Sequence, residues 1–146
     1  MDTAADRTEI IALLDRYAEA LDHRRWELLD EVFSSDVEFD FGEWRVNILT
    51  DAVATIRSYL DGCGPTQHLL GNYRVQIDGD QAQSQVYVRA FHRGLGAAAD
   101  KTYEMGGEYD DFLRRTPSGW RSVKRTARVL FETGTREVLG PGKKRD

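Results

Sequence analysis

The chain has 146 residues, of which 40% are hydrophobic, and a formal net charge of −5 at pH 7. This length and apolar content are sufficient for one globular domain with its own core. Because the arginines are scattered among acidic residues, the charge argues against binding to nucleic acid or to an anionic membrane surface. The single cysteine, Cys63, leaves no internal disulfide and no thiolate metal cluster.

The N-terminal segment predicts an amphipathic helix. Asp6 and Glu9 fit an N-cap residue followed three places later by an acid. Apolar side chains then recur at spacings of four, three and four, which places them on one helix face: Ile10, Leu14, Tyr17 and Leu21. The segment lacks the basic and apolar regions of a signal peptide, and no part of the chain is apolar enough to span a bilayer. We therefore expect a cytoplasmic protein.

Two further helical segments are predicted, at residues 25–33 and 50–60, the second capped by Thr50 or Asp51. Between them, residues 36–41 alternate apolar and acidic side chains, a pattern typical of a strand. The glycines and the proline that follow residue 60 end the last helix.

The second half of the chain alternates in a way that predicts four long strands, at residues 66–77, 81–95, 103–116 and 119–133. Short turn signals between them indicate hairpins, and the small residues of 94–100 predict a mobile loop. The order of elements predicts one α+β domain over residues 1–140, with a disordered tail at 141–146. We expect a cone-shaped barrel in which the N-terminal helices pack over a curved, mostly antiparallel sheet and enclose a cavity.

Three side chains from separate elements could form an acid–base set. Tyr17 and Asp22 lie five residues apart near the end of the first helix, and His68 lies at the start of the predicted sheet. A tyrosine, a carboxylate and an imidazole that meet in a cavity can polarise a carbonyl, remove a neighbouring proton and return it to a leaving group. The alternatives are a core tyrosine, a solvated helix-end carboxylate and a half-buried histidine.

Strand parity gives an orientation to the two histidines of the predicted sheet. His68 shares one face with Leu70 and Asn72, and the other face carries Leu69, Tyr73, Val75 and Ile77. His92 has the parity of an apolar face and is expected to point inward, where a structural and a catalytic role are equally open. No histidine or cysteine pair has the spacing of a metal site, and no glycine-rich phosphate loop is present. We expect no metal and no cofactor.

A series of short motifs follows the chain in order: Ile11-x-x-Leu14-x-x-Tyr17-x-x-x-Leu21-Asp22, Trp26-x-x-Leu29, Val32-Phe33-x-x-Asp36-Val37, His68-x-x-x-Asn72, Gly107-x-Tyr109-x-Asp111 and Gly119-Trp120-Arg121. From about Glu9 to Phe131, their order and spacing resemble the SnoaL-like branch of the nuclear transport factor two-like superfamily. That group includes scytalone dehydratase and bile acid 7α-dehydratase. The resemblance is more specific for the fold than for the reaction, because the superfamily also holds isomerases, cyclases, epoxide hydrolases and non-enzymatic modules.

The resemblance implies roles for five residues. In the related dehydratases, a tyrosine and an aspartate at this spacing pair with a histidine at the start of the sheet, which implies catalytic roles for Tyr17, Asp22 and His68. A second catalytic histidine one strand later is matched by His92. An arginine on the last long strand is matched, by position only, by Arg125.

Together, these patterns predict a cofactor-independent lyase, a dehydratase for a hydrophobic polycyclic or polyketide-like β-hydroxy carbonyl compound. An isomerase or a polyketide cyclase would use the same proton abstraction, and a non-catalytic small-molecule-binding module is the alternative outside enzymes. Apolar side chains such as Tyr87 and Phe91 on the outer sheet face predict a homo-oligomer, a dimer or a trimer. The residues expected to bind substrate are Phe39, Phe41, Trp44, Tyr59, Asn72, Tyr103 and Arg125.

Overall fold

In the computed structural model, which describes residues 2–140, helices pack on a six-stranded mixed sheet. The helices are α1 (Thr3–Asp22) and α2 (Leu49–Leu60), and short 3₁₀ segments lie at Trp26–Glu31, Gly96–Ala98 and Arg136–Val138. The strands are β1 (Phe33–Asp40), β2 (Arg45–Val46), β3 (Thr66–Asp78), β4 (Gln81–Arg93), β5 (Thr102–Thr116) and β6 (Gly119–Gly134). The predicted tail at 141–146 lies outside the described residues. None of the described helices combines the length and the apolar character needed to cross a bilayer.

The sheet has the order β2-β1-β6-β5-β4-β3. Strands β3 to β6 pair antiparallel in chain order, β1 pairs parallel with β6, and β2 pairs antiparallel with β1. The predicted α+β class with a mostly antiparallel sheet is confirmed. The sheet does not close on itself, because β2 and β3 form two separate edges.

Helix α1 begins one turn earlier than predicted. The Asp2 carboxylate accepts hydrogen bonds from the backbone N–H groups of Ala4 and Ala5, so Asp2 and not Asp6 is the N-cap. Asp6 instead forms a bidentate ion pair with Arg115 on β5, at 2.8 and 2.9 Å. It also accepts a hydrogen bond from the indole of Trp120. These contacts hold the first turns of α1 against the β5–β6 hairpin.

Three other local predictions are corrected by the structure. Helix α2 follows Ile48, which makes no side-chain cap, so neither Thr50 nor Asp51 caps it. The predicted helix at 25–33 is a shorter 3₁₀ segment, because β1 already begins at Phe33. Strand β2 was not predicted, since two residues show no periodicity.

A bulge in β3 reverses its strand parity. Asn72 has a left-handed backbone with φ of 54°, and the pairing with β4 shifts register between Gly71 and Arg74. Because one extra residue is inserted, side chains on both sides of the bulge turn inward. His68 is therefore buried. A simple alternation would place the following side chains on the opposite face, but they are also partly buried: Tyr73, Val75 and Ile77. Leu69 remains exposed.

The Asp6–Arg115 contact predicts a pH dependence of stability. Hydrogen bonds from Arg115 and Trp120 lower the pKa of Asp6 to about 2, whereas an unfolded aspartate has a pKa of about 3.9. The folded state therefore stabilises the ionised carboxylate of Asp6 relative to the unfolded state. The contribution of this carboxylate to the free energy of unfolding is complete above the unfolded pKa and is lost as the pH falls toward 2. We expect Asp6→Asn to be less stable than wild type at neutral pH, by a difference that shrinks on acidification.

Urea unfolding at several pH values measures this difference. The same change at the exposed Asp36 is the control, for which we expect a difference near zero at each pH. A stability loss in Asp6→Asn that did not vary with pH would contradict the assignment.

Candidate active site

The carboxylate of Asp22, the last residue of α1, binds the start of β3. Oδ1 accepts a hydrogen bond from the hydroxyl of Thr66 at 2.9 Å and lies 2.7 Å from Nδ1 of His68. Oδ2 accepts a hydrogen bond from the backbone N–H of His68 at 2.8 Å. A single carboxylate thus fixes both the backbone and the ring of His68.

The guanidinium of Arg24 supports this junction. Its nitrogens donate hydrogen bonds to the carbonyl oxygens of Leu21 and Gly64 and to the hydroxyl of Thr66. Arg24 has a left-handed backbone with φ of 56°, an uncommon conformation for a residue other than glycine. This turn of the chain aims the side chain back across the end of α1. Nothing in the sequence pattern distinguishes Arg24 from its neighbour Arg25.

The contacts of Asp22 determine the state of the His68 ring. Burial opposes ionisation of Asp22, but the hydrogen bonds from His68 outweigh it and hold the pKa of Asp22 below its usual value. An ionised carboxylate can only accept hydrogen bonds, so Nδ1 of His68 carries the ring hydrogen in this contact. When the ring is neutral, Nε2 is then an unprotonated nitrogen.

His68 lies in the wall of a cavity of ≈ 110 Å³ between the helices and the inner face of the sheet. Most of the lining is apolar, with Leu21, Ile56, Leu60, Met105 and Leu139 among its residues. Four aromatic residues expected to bind substrate also line it: Phe41, Trp44, Tyr59 and Tyr103. The rings of Phe41 and Trp44 are stacked, with centroids 5.1 Å apart.

Tyr17 and Tyr109 form a polar aromatic pair in the same cavity. Their rings meet edge to face at 5.5 Å, and the ring of Tyr17 lies 6.5 Å from that of His68. Burial raises the pKa of Tyr17, and the charge of Arg125 opposes the shift without cancelling it. Burial also raises the pKa of Tyr109 well above its usual value. Both hydroxyls are therefore neutral hydrogen-bond donors at physiological pH.

Arg125 lies behind these two rings and outside the cavity lining. Its Cζ is 4.3 Å from the ring centroid of Tyr17 and 4.4 Å from that of Tyr109. Its Nε donates to the carboxylate of Asp111 on β5, and both side chains are fully buried. Nη1 and Nη2 have no hydrogen-bond partner among residues 2–140, so the aromatic faces are the neighbours of its charge.

His92 is buried and lines the cavity, as its strand parity predicts. Its Nδ1 lies 3.2 Å from the carbonyl oxygen of Tyr103, its neighbour across the β4–β5 pair. The centroids of the His68 and His92 rings are 5.7 Å apart.

The structure does not place three of the expected substrate-binding residues in the cavity wall. Phe39 packs behind Phe41 and Trp44, Asn72 lies on the exposed bulge of β3, and Arg125 lies behind the two tyrosines. The bulge explains why Asn72 is exposed, since it breaks the strand parity that would place Asn72 on the same face as His68.

Some cavity residues were not predicted. Tyr109 shares strand parity with Asp111 in the motif Gly107-x-Tyr109-x-Asp111, which is the signal that could have identified it. Glu43 and Arg136, which form an ion pair at 2.9 Å beside the cavity, lie in segments without periodicity and left no signal. Within residues 2–140, no three side chains of the metal-binding types converge, and the expectation of no metal and no cofactor stays a prediction.

The buried Asp111–Arg125 pair predicts a large effect of single substitutions. Arg125→Met leaves the carboxylate of Asp111 buried without its partner, so we expect a loss of about 3–5 kcal/mol in the free energy of unfolding. The double variant Arg125→Met/Asp111→Leu removes both charges and should recover most of that loss. Urea unfolding measures both variants, and a single variant as stable as wild type would contradict this role of the pair.

Comparisons with known proteins identify the family. A profile of the SnoaL-like domain matches residues 2–126. An uncharacterized protein of Mycobacterium tuberculosis (strain ATCC 25618 / H37Rv) is 34% identical over 134 residues, which covers 88% of each chain. The Kfla4162 protein from Kribbella flavida has a TM-score of 0.84 at 29% identity, over 90% of this chain and 95% of its own.

Two kinds of elimination enzyme share the fold. A hexachlorocyclohexane dehydrochlorinase, LinA type 2, has a TM-score of 0.81 at 18% identity, over 92% of this chain and 91% of its own. A protein from Novosphingobium aromaticivorans DSM 12444 described as a putative scytalone dehydratase has a TM-score of 0.80 at 17% identity, over 99% of this chain and 97% of its own. At such low identity the likeness concerns the fold alone. The family profile, which covers most of the chain, carries the identification: this protein belongs to the SnoaL-like domain family.

Proposed function

We propose that this protein is a cofactor-independent lyase that removes water from a hydrophobic β-hydroxy carbonyl compound. The observation that carries the proposal is the 2.7 Å contact between Asp22 and Nδ1 of His68, with His68 in the wall of an aromatic cavity. The fold likeness to a dehydrochlorinase and to scytalone dehydratase-like proteins supports an elimination, since both names describe loss of a small molecule from a substrate.

The first step is removal of the proton on the carbon beside the carbonyl. Nε2 of His68 takes this proton, and the electrons of the C–H bond move toward the carbonyl oxygen to form an enolate. The carboxylate of Asp22 stabilises the imidazolium that results. The hydroxyl of Tyr17 donates a hydrogen bond to the enolate oxygen, where a fixed donor in a water-poor cavity is most effective.

The second step expels the β-hydroxyl group. The enolate electrons re-form the carbonyl and a new C=C bond while the C–O bond breaks. The imidazolium of His68 returns its proton to the departing hydroxide, so that water leaves and the ring is neutral again. Because one imidazole serves both steps, the proton and the hydroxyl leave from the same face of the substrate.

The cavity lining favours a flat substrate. The stacked rings of Phe41 and Trp44 and the side chain of Tyr59 provide apolar contact surface. This surface suits a polycyclic or polyketide-like ligand. An isomerase or a cyclase would share the first step, and the release of water separates a dehydratase from both.

Three substitutions test this mechanism on a β-hydroxy ketone such as 3-hydroxy-1-tetralone, whose dehydration is followed by ultraviolet absorbance of the conjugated product. We expect His68→Ala to lower kcat by about 10²–10⁴-fold, the usual contribution of an acid–base group. Asp22→Asn should lose most activity, because the amide does not stabilise an imidazolium. Tyr17→Phe should lower kcat by about 10²-fold or more with a smaller effect on KM, since its hydrogen bond strengthens in the transition state.

His23→Ala is the matched control, because His23 is an exposed histidine at the end of α1. It should keep the wild-type rate. Circular dichroism and urea unfolding show whether each variant is folded. Wild-type rates in folded His68→Ala, Asp22→Asn and Tyr17→Phe would refute the mechanism.

We also propose that the protein is cytoplasmic and forms one domain over residues 1–140. We propose further that it assembles as a homo-oligomer, a dimer or a trimer. Tyr87 and Phe91 support this, since they are 46% and 42% exposed on the outer face of the sheet, and large exposed apolar patches tend to be covered by another subunit. We expect static light scattering at micromolar concentration to give a mass of two or three chains. The mass of a single chain would contradict the proposal.

A further inference from the structure

His92 differs from His68 in what holds its ring. Both side chains lie on the inner face of the sheet, on the neighbouring strands β4 and β3. Nδ1 of His68 faces a carboxylate, whereas Nδ1 of His92 lies 3.2 Å from the backbone carbonyl oxygen of Tyr103. A carbonyl oxygen only accepts hydrogen bonds, so Nδ1 of His92 carries the ring hydrogen in this contact. Nε2 is then a lone-pair nitrogen.

The His92 ring stays neutral under physiological conditions. Burial, together with the neighbouring His68, lowers the pKa of His92 to about 4. The carbonyl of Tyr103 cannot compensate an imidazolium as a carboxylate does. His92 is therefore poorly suited to take up and return a proton, and the acid–base work falls to His68.

Nε2 of His92 is an acceptor without a protein donor. Within residues 2–140 no N–H or O–H group donates to it, since the backbone groups that contact the ring, those of Tyr103 and Ala90, do so as acceptors, and the side chain lines the cavity. The adjacent lining residues on the sheet, Ala90 and Met105, are uncharged and buried. A ligand that fills the cavity without a donor at this point leaves the acceptor unpaired, so a ligand that brings a neutral donor gains over one that does not.

We propose that His92 is a specificity residue whose Nε2 accepts a hydrogen bond from a hydroxyl group of the substrate. This inference rests on the proposed function for the site and adds a feature to the substrate class. The flat hydrophobic substrate carries a hydroxyl, phenolic or alcoholic, beyond the carbonyl and the leaving group. A hydroxyl fits this position better than an ammonium group, because the adjacent side chains of Ala90 and Met105 do not compensate a positive charge.

Binding of small ketones to the wild-type protein tests this directly. The probes are 1-tetralone, its 5-, 6- and 7-hydroxy derivatives, and the three corresponding methyl ethers, with Kd measured by isothermal titration calorimetry. We expect at least one hydroxytetralone to bind about tenfold more tightly than its methyl ether, as one neutral hydrogen bond of about 1.4 kcal/mol provides. The proposal is overturned if no hydroxytetralone binds more tightly than its ether.

Substitution of His92 then assigns the preference. His92→Phe keeps a planar ring and removes Nε2, so the preference for the hydroxyl over the ether should disappear while the Kd of 1-tetralone changes little. His23→Phe is the matched control and should retain the preference. A hydroxyl preference that persisted in folded His92→Phe would overturn the proposal. If that variant fails to fold, His92→Leu, which also removes Nε2, takes its place with the same expected result.

These measurements separate the inference from the proposed reaction. The probes carry no β-hydroxyl group and cannot lose water, so their binding reports on recognition alone. A preference that is lost in His92→Phe supports the role of His92 even if His68→Ala shows that the reaction is assigned wrongly. Loss of turnover in His68→Ala without any hydroxyl preference would support the proposed reaction and overturn the role of His92.

Discussion

The carboxylate of Asp22 connects the end of α1 with the first residues of β3, and the position of the candidate base depends on this connection. Its two oxygens receive hydrogen bonds from the Thr66 hydroxyl, the His68 backbone and the His68 ring. Hydrogen bonds to a charged group contribute about 1.5–3 kcal/mol each. Because the backbone and the ring of His68 bind the same carboxylate, Asp22 positions both the start of β3 and the imidazole. The guanidinium of Arg24 closes the same junction from its outer side.

The polar rings of the cavity share a common arrangement. Each ring lines the cavity and is in contact with a polar or charged group of another residue. Asp22 holds His68, the Tyr103 carbonyl holds His92, and Arg125 lies behind Tyr17 and Tyr109. The supporting group decides what each ring can do. A carboxylate stabilises an imidazolium, a neutral carbonyl leaves the ring as an acceptor, and a buried cation opposes the rise in tyrosine pKa.

Much of the fold could be predicted from the sequence, because long elements have a clear period. The four long strands of the sheet begin and end within a few residues of their predicted bounds, and α1 carries the expected apolar stripe. The errors in the predicted elements arise where a single residue interrupts the periodic pattern or makes a contact that the pattern does not show. Asn72 adds a bulge that turns Tyr73 inward, and Asp6 leaves the role of cap to Asp2 because Arg115, distant in sequence, binds it. The closure of the sheet could not be judged from local patterns, since it depends on which edges meet.

The candidate site was predictable to the extent that spacing reflects geometry. Tyr17 and Asp22 could be placed near His68, and four aromatic residues of the lining were expected. The roles of Arg24 and Arg125 could not be derived, because each depends on contacts between distant segments. The difference between His68 and His92 was also out of reach, since sequence alone does not show which group faces Nδ1.

The tautomer of His68 is the most direct test of the account. Long-range ¹H–¹⁵N NMR spectra of the protein, recorded at a pH where the His68 ring is neutral, distinguish a hydrogen on Nδ1 from one on Nε2. Assignment by comparison with His68→Gln identifies the signals. We predict a hydrogen on Nδ1, held by Asp22, and an unprotonated Nε2 that is able to act as the base. A neutral ring with its hydrogen on Nε2 would contradict this mechanism, because the unprotonated nitrogen would then be Nδ1, which faces Asp22.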